Sequence, residues 1–271
     1  MSRLSDAFDR RKREGGAALV TYVMGGDPDL RGSLAMALAC VEGGADLLEI
    51  GVPFSDPIAD GPTIQRAAER ALASGTTLKD CLALAVRIRA RTQVPIVLMG
   101  YLNPILAFGE RRFLSACAKA GIDAVIVPDL PPEEAQSFVR LARQHGVAVV
   151  FLLAPTSTPQ RWQAAFAVAT GFIYFVSVAG VTGARTALPK DLGAQLDRVR
   201  GESPVPVVVG FGISKPDQAR ALGRHCDGVV VGSAIVSLVA QPGPIASRAA
   251  KVTRFVRSLK SSLDRPHDRA C

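Results

Sequence analysis

The chain contains no run of about 20 consecutive apolar residues, the length a helix needs to cross a bilayer, so a membrane span is not expected. The N-terminal segment, Ser2 to Glu14, is charged and lacks the apolar centre of a secretory signal. Its Arg10-Arg11-Lys12-Arg13 run is interleaved with Asp6, Asp9 and Glu14, which reads as a solvated helix face rather than a nucleic-acid arm. Aromatic residues make up only 6% of the chain and do not cluster with the basic ones. The excess of 32 Lys and Arg over 24 Asp and Glu therefore suits an anionic metabolite better than a nucleic acid. No two of Cys40, Cys81, Cys117, Cys226 and Cys271 have CxxC spacing, and their number is odd. Buried free thiols in a cytosolic protein are expected. Histidine is confined to His145, His225 and His267, too scattered for a cluster of metal ligands.

What the 271 residues do contain is a regular alternation. Short apolar runs occupy Ala18 to Met24, Leu47 to Ile50, Pro95 to Met99, Ala124 to Val127, Ala148 to Leu153, Phe172 to Val178, Val205 to Val209 and Gly228 to Val231. Amphipathic stretches separate them, among them Leu30 to Glu42, Leu78 to Arg91, Pro132 to Gln144 and Pro216 to Leu222. Strands alternating with helices imply a parallel sheet, and eight such units in about 250 residues close into a (β/α)8 TIM barrel. A doubly wound open sheet is the alternative, but no GxGxxG follows the first strand. An extra helix over Leu4 to Arg13 and an inserted one after strand 2, Thr63 to Ala73, are expected. Ile245 to Leu263 closes a single domain over residues 1–271, with 264–271 as a frayed tail. Gly44-Ala45-Asp46, Gly121-Ile122-Asp123 and His225-Cys226-Asp227 recur between a helix and a strand, the glycines suited to a left-handed helix end.

In such barrels the chemistry sits at the C-terminal ends of the strands. The most unusual end is Leu47-Leu48-Glu49-Ile50-Gly51-Val52-Pro53, followed by a Gly/Pro loop carrying Asp56 and Asp60. A carboxylate inside an apolar run is either turned to solvent at the strand end or buried for a purpose. The strand 7 end, Gly210-Phe211-Gly212-Ile213-Ser214, and the strand 8 end, Gly232-Ser233-Ala234, are glycine-rich. Either they are ordinary turns, Ser233 capping the next helix, or their backbone N–H groups hold a phosphate. The loop Val178 to Thr186, with Thr182 and Arg185, is a mobile lid or a passive surface loop. No Lys lies in any of the eight runs, which argues against a Schiff base, and no Ser nucleophile elbow is present. Carboxylate acid–base chemistry remains: Glu49 with its pKa raised by apolar walls, and Asp60 more solvated and ionised. Tyr22 and Tyr174, near strand ends, are packing residues or phenolic donors.

The stretch Glu49 to Gln65, EIGVPFSDPIADGPTIQ, resembles the signature of the tryptophan synthase α subunit family. The likeness extends to Gly26-Asp27-Pro28, Met99 to Pro104, Pro128-Asp129-Leu130-Pro131, Tyr174 to Arg185, Gly210 to Ser214 and Gly232-Ser233-Ala234. It implies metal-free retro-aldol cleavage of indole-3-glycerol phosphate to indole and glyceraldehyde 3-phosphate. Glu49 would be the acid–base group at the scissile bond and Asp60 the partner of the indole N–H. Tyr174 would lie beside Glu49, and Tyr22, Tyr101, Ile126 and Pro128 would line the indole pocket. Gly183, Gly212, Gly232 and Ser233 would hold the phosphate, Thr182 would meet Asp60 on lid closure, and Asp56 would face the partner. That partner is the β subunit of an αββα complex, which carries pyridoxal phosphate, so no cofactor is expected on this chain. A stand-alone indole-releasing lyase and a catalytically weak subunit that activates β are the alternatives. Tyr22 stands where phenylalanine is usual, and Met24-Gly25 where Thr-Ala is commoner.

Overall fold

In the computed structural model, residues 2–176, 191–210 and 212–264 are described. Eight parallel strands close into a barrel in chain order, each paired with its sequence neighbours and β8 with β1. They are β1 (Ala18–Met24), β2 (Leu47–Gly51), β3 (Ile96–Met99), β4 (Ala124–Ile126), β5 (Ala148–Leu153), β6 (Ile173–Val176), β7 (Val207–Gly210) and β8 (Gly228–Val231). The first half carries helices α1 (Arg3–Arg13), α2 (Leu30–Glu42), α3 (Pro62–Ala73), α4 (Leu78–Arg89), α5 (Leu102–Phe108) and α6 (Glu110–Ala120). The second carries α7 (Gln136–Gln144), α8 (Pro159–Val168), α9 (Leu192–Glu202), α10 (Pro216–Gly223), α11 (Ser233–Val239) and α12 (Ile245–Leu263). Among the described residues, no helix is long and apolar enough to cross a membrane.

The eight expected strands and the barrel are present, with two instructive shifts. β7 starts at Val207 rather than Val205, because Pro206 has no N–H for the ladder. α7 starts at Gln136 rather than Pro132, since 131–135 form turns closed by Glu134 N–H on Pro131 O and Ala135 N–H on Pro132 O. α5 carries no periodic apolar signal, and Pro104 falls in its first turn, where the N–H groups lack intrahelical acceptors anyway.

Alternate residues of each strand face two different cores. Ala18, Val20, Leu47, Val97, Ala124, Ile126, Val150, Phe172, Val208 and Val230 fill the barrel, while Leu19, Leu48, Ile50, Leu98, Val125, Val209 and Val229 pack under the helices. α1 closes the N-terminal end of the barrel with Leu4, Ala7 and Phe8, the Phe8 ring lying 5.8 Å from that of Phe172. The basic run of α1 is not simply a solvated face. Arg11 is buried and pairs with Glu14, with Asp264 at 2.7 Å and with Asp46 at 3.6 Å. Asp264 is therefore anchored, and the tail expected from 264 lies outside the described residues from 265 onward.

The recurring Asp has a structural reason. Asp46 accepts the Leu19 N–H at 2.9 Å and its own N–H donates to Leu19 O at 2.8 Å. Asp123 makes the same double link to Ile96, and Asp227 to Val207. Thr170 completes the set on Val149, with its hydroxyl accepting at 2.8 Å. Each even-numbered strand is thus preceded by a side chain that takes the N–H of the first or second residue of the preceding odd-numbered strand. Sequence shows three of these clamps, because the fourth uses Thr rather than Asp.

Candidate active site

At the other end of the barrel, β2 turns Glu49 inward. Strand alternation places Leu47 in the barrel interior and Leu48 and Ile50 outside, so the intervening Glu49 faces in. It is 1% exposed, which decides between the two sequence readings in favour of burial. Burial pushes its carboxyl up to about 8, and the Asp60 carboxylate adds to the shift. Among the described residues no hydrogen bond reaches Glu49 Oε2. A buried oxygen without a partner is costly to keep.

Asp60 ends the loop between β2 and α3. It is 7% exposed, so the expectation of a solvated carboxylate is corrected. Burial raises its pKa to about 6, and the Tyr101 phenol, donating to Oδ2 at 3.1 Å, holds it down. The separation of the two carboxyls therefore comes from different burial, from the Asp60 charge acting on Glu49 and from one hydrogen bond to Asp60, not from water around Asp60. Gln65 Nε2 donates to Asp60 O at 2.9 Å and fixes the backbone where α3 begins.

All three tyrosines of the chain converge on this pair. Tyr22, Tyr101 and Tyr174 are buried and their phenols are held protonated, chiefly by burial and then by the nearby carboxylates. Strand-end glycines make the room. A Cβ at Gly51 would collide with the Tyr22 hydroxyl, and one at Gly210 with the Tyr174 hydroxyl. The Tyr22 hydroxyl lies 3.9 Å from Met24 Sδ, so the Tyr22 and Met24 departures occupy one spot. Ile126 is buried in the barrel interior, and Pro128 is half-buried just beyond β4.

The glycine-rich ends of β7 and β8 lie at the same end of the barrel. Gly212 has φ +80°, and Gly232 approaches Tyr22, whose Cβ would be 3.3 Å from an added Cβ. Ser233 is the first residue of α11, not its cap: Gly232 holds the cap position with no side-chain hydrogen bond. At α10 the Ser214 and Lys215 amides are taken by Gln218 Oε1 at 2.9 and 3.1 Å. Thr182, Gly183 and Arg185 lie outside the described residues. Asp56 is exposed on the β2–α3 loop, as is Ile58 at 65%, and Leu106 on α5 is 54% exposed.

The Tyr101–Asp60 bond is the feature sequence reading missed. Its only signal in the sequence is a Tyr two residues after the third strand, which by itself reads as a pocket wall.

Comparison with known proteins converges on one group. The sequence pattern of the tryptophan synthase alpha chain family matches residues 8–264. The alpha chain of Citrifermentans bemidjiense is 55% identical over 236 residues, covering 87% of this chain and 88% of that one. That of Pelobacter propionicus is 49% identical over 263 residues, covering 97% and 98%. Among solved structures, a chain of Mycobacterium tuberculosis tryptophan synthase superposes with a TM-score of 0.88 at 38% identity, covering 97% of this chain and 98% of that one. The alpha subunit of Legionella pneumophila gives 0.86 at 33% identity, covering 96% and 99%. With a closed eight-stranded barrel, an inward pair of carboxyls and matches over nearly its whole length, the chain belongs to the tryptophan synthase alpha chain family.

Proposed function

We propose that Glu49 and Asp60 divide the acid–base work of indole-3-glycerol phosphate cleavage, and that their unequal pKa values carry the division. The family identity makes the chain a lyase of tryptophan biosynthesis, the α partner of a β subunit in an αββα complex. Pyridoxal phosphate belongs to that β subunit, and the α chain of the family has no cofactor of its own. The stand-alone lyase and the inert activator fall behind this reading.

Glu49, with a pKa of about 8, carries a proton at neutral pH and delivers it to indole C3. The positive charge that results on the indole N–H is balanced by Asp60, ionised at neutral pH with a pKa of about 6. Glu49, now a carboxylate, takes the proton of the glycerol hydroxyl next to the ring. The carbon–carbon bond breaks, its electron pair returns to the ring nitrogen, and an aldehyde and indole result with Glu49 protonated again. In a buried site each such interaction is stronger than it is in water.

Tyr22, Tyr101, Ile126 and Pro128 serve as walls for the indole, with Tyr174 beside Glu49. Gly212, Gly232 and Ser233 hold the phosphate, supported by the uncapped start of α11 and the positive φ of Gly212. Gly183 joins them and Thr182 meets Asp60 in the same reading, on sequence grounds alone. Exposed Asp56, with Ile58 and Leu106 at the same end of the barrel, supports β docking there. The free thiols of Cys40, Cys81, Cys117 and Cys226 favour a cytoplasmic setting, and we read residues 1–271 as one domain.

The observation that carries the proposal is the buried Glu49 carboxyl, whose Oε2 has no hydrogen-bond partner among the described residues. Glu49→Gln is expected to lose indole formation about 10²-fold or more, with and without β, while substrate analogue binding survives. Near-normal turnover in that variant would remove Glu49 from the mechanism.

A further inference from the structure

Among the described residues, few hydrogen bonds tie the loop that carries Asp60 to its surroundings. Between Pro53 and Asp60, the described hydrogen bonds that leave the loop go to Tyr101 and Gln65. The Tyr101 phenol has one donor and one acceptor, and the loop uses both. It donates to Asp60 Oδ2 at 3.1 Å and accepts the Ala59 N–H at 3.0 Å. Its ring stacks on Phe54 at 5.2 Å with planes 29° apart. Its own backbone is anchored: it precedes α5, whose Leu102 N–H donates to Asp129 Oδ1 at 2.9 Å. One side chain therefore grips the loop at Phe54, Ala59 and Asp60, and between those points lie exposed Asp56 and Ile58.

We propose that Tyr101 is a positioning residue that holds Asp60 ionised and aimed into the barrel, and links that carboxylate to the exposed turn of the β2–α3 loop. The inference rests on the reading that Asp60 works as a carboxylate. Asp60 is faced by Glu49 from β2, Tyr22 from β1, Tyr174 from β6 and Tyr101 from the β3–α5 junction. Burial opposes its ionisation, and the hydrogen bond from Tyr101 favours it. Burial, and then the facing Asp60 and Asp129, keep the Tyr101 phenol protonated and hence a donor. Anything that shifts Phe54 or Ala59 acts on the same phenol and so reaches Asp60.

The test is the pH profile of indole release by Tyr101→Phe, compared with the parent chain. A hydrogen bond to a charged group is strong enough to move a pKa by about one unit, so the acid limb of kcat/KM should rise by about one pH unit. Activity should fall most near pH 6 and recover largely by pH 8, with thermal midpoint and glycerol phosphate binding little changed. Phe54→Ala, which loosens the stack but keeps the hydroxyl, should move the limb the same way by less. If both profiles superimpose on the parent's, or drop uniformly at all pH values, Tyr101 is a pocket wall only and the inference fails. Asp60→Asn separates the underlying reading: if it retains activity, the role of Asp60 falls. The carbon-13 titration of the Asp60 carboxyl in Tyr101→Phe, assigned against Asp60→Asn, still decides whether Tyr101 sets its ionisation.

Discussion

Glu49 and Asp60 are nearly the same functional group, and their surroundings make them different reagents. Both are pushed up by burial, but Asp60 receives a phenolic hydrogen bond from Tyr101 that favours its charge. The shifts have a consequence for stability. Each carboxyl has a folded pKa above its unfolded one, so the folded protein holds more protons than the unfolded chain between the two values. Their contribution to stability is complete below the unfolded carboxylate pKa. It is lost as pH rises through about 6 for Asp60 and about 8 for Glu49. Glu49→Gln removes the titration, so its thermal midpoint should exceed the parent's by about 3 °C or more at pH 8. At pH 5 the gain should be much smaller. Equal shifts at both pH values would show that Glu49 is not held protonated by the fold.

At the scale of elements, the molecule separates stability from chemistry along the barrel axis. The N-terminal end holds the clamps of Asp46, Asp123, Thr170 and Asp227, tied further to Arg3, Arg10, Arg89, Arg200 and Lys260. Asp46→Ala would leave the buried Leu19 N–H and Lys260 without their acceptor and is expected to cost about 3 kcal/mol or more. Thr170→Val removes one neutral bond and should cost about 1–3 kcal/mol. Denaturant unfolding measures both; Asp46→Ala should be the more damaging while kcat/KM of the folded fraction stays near the parent's. A reversed order would mean that the clamps are not what secures the strand starts. The three Asp clamps are visible in sequence because Gly or His, one residue and Asp recur before strands. The Thr170 clamp is not, since a hydroxyl can replace a carboxylate where a single N–H must be met. α5 escapes notice for a similar reason: Pro104 reads as a break, yet in a first turn it removes no helix bond.

For the whole molecule, alternation of apolar runs with amphipathic stretches was enough to read the closed barrel, and the barrel places the strand ends together. That Glu49 lies in a strand and Asp60 in the next loop was legible. The burial of Glu49 was legible from its apolar run; that of Asp60 was not, because it sits in a polar-looking Gly/Pro loop that contacts from Tyr101 and Gln65 draw inward. Loop burial is a tertiary property, and no local pattern around 52–61 encodes it. The buried Arg11 is a parallel case, its partner Asp264 lying at the far end of the chain. Around this frame, the central claim is that one protonated and one ionised carboxyl act together. The pH dependence of kcat/KM for indole release, measured with β present, tests it most directly. A bell with an acid limb near 6 and an alkaline limb near 8 is predicted, belonging to the coupled pair. A profile flat from pH 5 to pH 9 would contradict the division of labour between Glu49 and Asp60.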